Sequence, residues 1–198
     1  VASTSSSPDA PALLPTSVTS TVKLLICGHY GAGKTTLVSR VSEIAPLHTE
    51  EPITAASIGV DDLAGLPHKH STTVAMDFGR RTFGSTALYL FGTPGQQRFA
   101  PMWDDLAQGA KGALVLVDTR RLDAADEILA ALEERQMPFA VAVNRFDGAP
   151  EHPADEIRDA LDLASPTPLT FCDARDFRSS VHALITLMTH LTALGGRS

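Results

Sequence analysis

Eight consecutive residues constrain this chain more than any other feature: Gly28, His29, Tyr30, Gly31, Ala32, Gly33, Lys34 and Thr35. They fit GxxxxGK[ST], directly after a mainly apolar run at residues 22–27 and directly before a stretch with helical spacing. That succession of strand, glycine-rich turn and helix is the setting in which the pattern cradles phosphate. The glycines let successive backbone N–H groups turn inward, the helix start adds positive potential, and Lys34 adds a full charge. Thr35 then offers a hydroxyl to Mg²⁺, so a nucleoside triphosphate with its magnesium is the expected ligand.

From residue 21 onward, apolar runs alternate with stretches of helical spacing, the pattern of a parallel sheet covered by helices. Runs at 22–27, 112–117, 139–143 and 169–172 are apolar apart from Lys23 and Thr170, as expected of strands buried on both faces. Two more strands, 73–81 and 86–91, are separated by a short turn containing Gly84, which suggests an antiparallel hairpin. The expected fold is therefore α/β, a six-stranded and mostly parallel sheet with helices on both faces. Leu122, Ala125, Ile128, Leu129 and Leu132 share one helical face, as do Val181, Leu184, Ile185, Met188, Leu191 and Leu194. Residues 45–72 are expected to form a long functional or mobile loop, interrupted as they are by Pro46, Pro52, Pro67, Gly59 and Gly65. Residues 1–20, with nine Ser or Thr and three Pro, are expected to be a disordered tail ahead of a single domain at 21–198.

Charge and composition narrow the partners. Sixteen basic against twenty-three acidic residues give 16 − 23 = −7, and no basic run interrupts that background, which argues against nucleic acid. No apolar run approaches the roughly 20 residues of a membrane span. Cys27 and Cys172 sit in separate apolar runs, as reduced buried thiols do. A cytoplasmic protein is expected, with peripheral placement at the inner membrane through partners as its extension.

The base is read from the end of the fifth strand, at Asn144, Arg145, Phe146 and Asp147. A carboxylate there accepts from both the ring N–H and the exocyclic amine of guanine, whereas adenine presents no such pair. Together with the phosphate loop this tetrapeptide resembles the NKxD element of Ras-like small GTPases, with Arg145 in place of the lysine. Cys172, Asp173, Ala174 and Arg175 resemble a variant of the family's final SAK element, and Thr93, Pro94, Gly95, Gln96, Gln97, Arg98 and Phe99 resemble its second switch, DTAGQERF. Residues 72–78 resemble the strand entered from the first switch. The order of these elements over residues 21–194 is similar to bacterial Ras-like GTPases of the MglA and actinobacterial conservon type.

That resemblance implies GTP and GDP as ligands, Mg²⁺ as cofactor, and partners of roadblock and sensor-kinase type. Carried onto this chain, it implies nucleotide contacts from Gly28, Tyr30, Gly31, Ala32, Gly33, Lys34, Thr35 and Thr36 in the phosphate loop. Thr73 and Gly95 would contact the γ-phosphate, and Asn144, Arg145, Asp147, Ala174 and Arg175 would frame the base. Thr35 and Thr73, with Thr72 as the alternate, would ligate the metal; Gln96 would position water and Lys34 would stabilise transferring charge.

Several residues depart from that pattern. Gly92 stands where the second switch begins with Asp, so the carboxylate near the metal is missing, and Asp77 or Asp118 would have to lend that charge. Tyr30 projects from a position that is glycine in Ras and is expected to crowd the γ-phosphate, making unaided turnover slow. Pro94 stiffens the start of the second switch and removes a donor. Two functions follow as expectations: a GTP-hydrolysing switch in a bacterial signalling module or, as the alternative, a nucleotide-gated scaffold with negligible turnover. His48, His68 and His70 lack zinc spacing, Arg98 is read as a solvated switch residue, and Trp103 as core packing.

Overall fold

A strand buried on both faces needs apolar residues at every position, and β1 (Ser20–Cys27) meets this at its end, where Leu24, Leu25, Ile26 and Cys27 are wholly shielded from solvent. The computed structural model describes residues 14–53, 72–94 and 101–196. Beside β1 lie β4 (Thr86–Gly92) and β5 (Ala110–Val117), both parallel to it, and the sheet continues in parallel through β6 (Phe139–Asn144) to β7 (Leu169–Cys172). On the other side, β3 (Thr72–Phe83) runs antiparallel to β4 across a turn at Gly84 and Ser85, where Gly84 takes φ 57°.

All six expected strands are present, and the parallel pairings dominate. The sheet is extended by one more strand, β2 (Leu47–Ile53), antiparallel to β3, giving the order β2-β3-β4-β1-β5-β6-β7. It arises from the first part of the stretch read as loop; the remainder of that stretch, residues 54–71, lies outside the described residues.

Alternation along the central strands divides the interior into two layers. Leu24, Ile26, Leu114, Leu116, Ala140 and Ala142 point to one face, against α1 (Lys34–Val41) and α5 (Phe177–Gly195). Leu25, Cys27, Val115, Val117, Val141 and Val143 point to the other, under α2 (Pro101–Ala107), α3 (Asp126–Glu134) with its leading 3-10 turn, and α4 (Ala154–Ala160). Leu129 and Leu132 pack as their spacing predicts. On α5 the apolar stripe is wider than the sheet it covers: Leu184 is buried with Ala183 and Leu187, while Ile185 and Leu194 stay exposed.

Cys27 and Cys172 are buried free thiols, and burial pushes both up to about 12. No helix among the described residues is long and apolar enough to cross a membrane. Because β1, β4, β5, β6 and β7 are mutually parallel, the segments leaving their carboxyl ends gather on one edge of the sheet, where α/β folds place their ligands.

Candidate nucleotide site

At that edge β1 gives way to the phosphate loop. Gly33 takes φ 101° and precedes the first residue of α1. A Cβ there would run into Nδ2 of Asn144, so both the backbone conformation and the close approach require glycine. Gly28 is equally constrained, since a Cβ would meet the Leu116 carbonyl oxygen at 2.6 Å. Lys34 folds back over the loop and donates from Nζ to the carbonyls of Gly28 at 2.7 Å and His29 at 2.8 Å. Burial pushes the Lys34 ammonium down to about 8, opposed by Cys27 and then Asp77. A poorly solvated cation in this position is one that an oxyanion stabilises.

Asn144, at the end of β6, clasps the two halves of the site. Its Nδ2 donates to the Ala32 carbonyl at 2.9 Å, and its Oδ1 accepts from the Ala174 N–H at 2.9 Å. One nearly buried amide thus ties the phosphate loop to the segment after β7. The Arg145 N–H donates to the Cys172 carbonyl at 2.8 Å, so the loops after β6 and β7 are joined a second time. The Arg145 guanidinium lies 5.5 Å from the centre of the Phe171 ring, stacked on β7.

Asp147 stands at the rim, mostly exposed, and accepts from both Nη atoms of Arg175 at 2.9 and 3.1 Å. Arg175 also donates from Nε and Nη2 to Asp173, both at 2.9 Å. The hydrogen bonds from Arg175 hold the Asp147 carboxyl below its usual range. Asp173 belongs to the element that resembles the final SAK motif, but the resemblance gives it no role of its own; its signal is a carboxylate immediately before Ala174.

Thr35 opens α1 with an exposed side chain, and its hydroxyl donates to Oδ2 of Asp77 at 2.5 Å. The register of the hairpin explains this contact. Asp77 of β3 sits directly opposite Gly92 of β4, and a Cβ on Gly92 would come within 3.0 Å of the Asp77 Cβ and 3.1 Å of its Oδ2. The acid absent from β4 is therefore replaced in space by one from the neighbouring strand. Asp118 takes the strand-end role instead: its Oδ1 accepts from the Arg120 backbone N–H, and the Arg120 guanidinium grips both its oxygens.

Tyr30 projects from the phosphate loop with 74% of its surface exposed. Its neighbour His29 was not singled out from sequence, yet it is buried, with Nδ1 at 2.7 Å from the Tyr30 carbonyl and Nε2 without a hydrogen-bond partner among the described residues. Thr36 is exposed on the first turn of α1. Thr72 and Thr73 open β3, where the backbone alone is described. Gly95, Gln96 and Arg98 lie outside the described residues, as do His68 and His70, and the side chains of His48 and Trp103 do as well. Among the described residues no group of three His, Cys, Asp or Glu is placed to hold a metal ion by itself. The residues present fit a magnesium that takes phosphate oxygens and water for most of its shell, with Thr35 as protein ligand and Asp77 beside it.

The sequence profile of the family described as conserved hypothetical ATP binding protein matches residues 26–194. An uncharacterised protein of Methanocaldococcus jannaschii is 29% identical over 128 residues, covering 64% of this chain and 71% of its own length. The Ras-related protein Rab-18-B of Danio rerio is 32% identical over 106 residues, 54% of this chain and 44% of that protein. The chain thus spans less than half of the length of that relative. Among solved structures, the Arl6 small GTPase from Trypanosoma brucei, with bound GppNp, superposes with a TM-score of 0.62 at 19% identity over 87% of this chain and 98% of that one. The G domain of the FeoB iron transporter from T. maritima gives 0.61 at 17% identity over 86% and 98%. This is the fold of the small GTPases.

Proposed function

Since the chain belongs to the family described as conserved hypothetical ATP binding proteins and has the small-GTPase fold, we propose that it is a guanine-nucleotide switch that binds Mg²⁺·GTP and hydrolyses it slowly to GDP and phosphate. The observation that carries this reading is the Asn144 clasp, which holds the phosphate loop and the Ala174 N–H in one frame with Asp147 at its rim. In that frame Lys34 and the inward N–H groups of the loop bind the phosphates. Thr35 would hold the metal, with Asp77, which accepts from the Thr35 hydroxyl, orienting that hydroxyl and supplying the carboxylate absent at Gly92.

When bound, the magnesium neutralises charge that builds on the phosphate oxygens during transfer. Gln96 accepts from the attacking water while the water oxygen bonds to the γ-phosphorus, the bond to the bridging oxygen breaks and the water proton passes to the released phosphate, with Lys34 stabilising the charge left on GDP. Thr73 and Gly95 sense the γ-phosphate, and its loss releases both switch segments. The partners consistent with this reading are of roadblock and sensor-kinase type, in a bacterial signalling module.

A second reading is favoured by Tyr30 and Gly92: a nucleotide-gated scaffold whose turnover is negligible. Phosphate release from GTP, with and without an added roadblock-type protein, separates the two, since silence in both assays removes hydrolysis. The family description names ATP, whereas Asp147 is chemically suited to guanine. Competition against labelled GDP decides between the bases: GTP displaces it and ATP does not. Asp147→Asn is expected to shift preference toward xanthine nucleotides, whose ring carbonyl replaces the guanine amine, and unchanged preference would remove the guanine assignment.

A further inference from the structure

The carboxylate proposed to read guanine already has a partner of the same chemical shape. Both Asp147 oxygens face the fork of Arg175, Nη1 to Oδ2 at 2.9 Å and Nη2 to Oδ1 at 3.1 Å. A fork-to-fork pair of this kind uses the in-plane lone pairs of both oxygens. Guanine asks for the same two lone pairs, because its N1, C2 and exocyclic N2 form a guanidine fragment with two parallel N–H donors. Adenine has an acceptor at N1 and offers no such fork.

We propose that Arg175 is a latch on the base-reading carboxylate, an internal mimic of the guanine edge that must be exchanged for the base when a guanine nucleotide binds. This rests on the assignment of Asp147 as the base reader. A ligand with a two-donor fork replaces Arg175 bond for bond. One without it leaves the latch closed and gains only phosphate contacts, so the latch lowers guanine affinity alone and narrows the gap between the purines.

Asp173 makes the exchange reversible. It receives Arg175 Nε and Nη2 and also the Arg175 backbone N–H, all at 2.9 Å. Arg175 therefore releases Asp147 without leaving the rim, and it closes again when the base departs. Both members of the pair are open to water, with side-chain exposures of 52% for Arg175 and 87% for Asp147. An exposed ion pair is a shallow trap, one that a nucleotide anchored by its phosphates can open.

The test uses the full chain and labelled GDP and ATP. Arg175→Met keeps an unbranched stem of similar reach and removes every donor. GDP affinity is expected to rise roughly three- to tenfold through a faster on-rate, with ATP affinity unchanged, and Arg175→Lys, which keeps the charge without the fork, to fall between. In an Asp147→Asn background, Arg175→Met should have no further effect on GDP. If Arg175→Met leaves GDP binding unchanged, or weakens GDP and ATP alike, while Asp147→Asn still abolishes guanine preference, the latch is wrong and the base assignment stands. If Asp147→Asn leaves guanine preference intact, the base assignment fails and the latch fails with it.

Discussion

Asp77 shows how one residue's role depends on its strand partner. Its carboxylate occupies the space in front of Gly92 and takes the Thr35 hydroxyl. Partners of metal ligands fix ligand orientation and commonly affect metal affinity by 10- to 100-fold. Asp77→Asn is accordingly expected to weaken the magnesium dependence of GDP release by about tenfold or more, read as a smaller difference in release rate with and without EDTA. Adding Gly92→Asp to Asp77→Asn should not restore it, because the new side chain meets the one at position 77; Gly92→Asp combined with Asp77→Gly, which removes the opposing Cβ, should. Tyr30 carries a separate prediction. If its exposed ring crowds the γ-phosphate, Tyr30→Gly raises the single-turnover hydrolysis rate without changing GDP affinity, and an unaltered rate would assign slow turnover to some other residue. The residues of the phosphate loop were legible in sequence because their spacing alone imposes their geometry. The links from Asp77 to Thr35 and from Arg175 to Asp147 were not, since they span 42 and 28 positions and exist only once the sheet is in register.

At the scale of elements, mainly apolar runs announced β1, β5, β6 and β7; the inner strands β1, β5 and β6 are buried on both faces and leave little choice of side chain, while β7 at the edge is half-buried. β2 was hidden for the opposite reason. LHTEEPI alternates poorly and contains proline, a composition tolerated on an edge strand with one neighbour, which is what pairing with β3 alone provides. The α5 stripe is broader than its contact: helical periodicity identifies an apolar face but not how much of it the sheet covers, so Ile185 and Leu194 share the face and yet are exposed. The elements around the ligand are held together by Asn144. Asn144→Ala leaves the Ala174 N–H and the Ala32 carbonyl without their partner in a buried place, a loss of about 1–3 kcal/mol. The expected result is a lower denaturation midpoint with an unchanged m-value, together with faster GDP release. A stability loss with normal nucleotide kinetics would mean that the clasp holds the fold but not the site.

Across the whole molecule, the sheet separates two apolar layers that have different relations to the ligand. The layer containing Leu184 and Leu187 of α5 also contains Leu37, Val38 and Val41 of α1, the helix on which the phosphate loop is mounted. The opposite layer, with Leu129 and Leu132 of α3, contains no residue of α1. Leu184 and Leu132 are both fully buried, so truncating either to alanine is expected to destabilise the chain by about 2–5 kcal/mol. Their effects on the nucleotide should differ. A ligand that binds only the folded chain stabilises it according to its affinity, by about 2.7 kcal/mol at a hundred times Kd. In Leu132→Ala the shift in unfolding midpoint on adding GDP should match the wild type, because the loop's mounting is intact. In Leu184→Ala the shift should shrink, because α1 loses packing on the side that fixes its angle to the sheet. Equal shifts in the two variants would show that the phosphate loop is held by its own hydrogen bonds and the Asn144 clasp, independently of the layer beneath it.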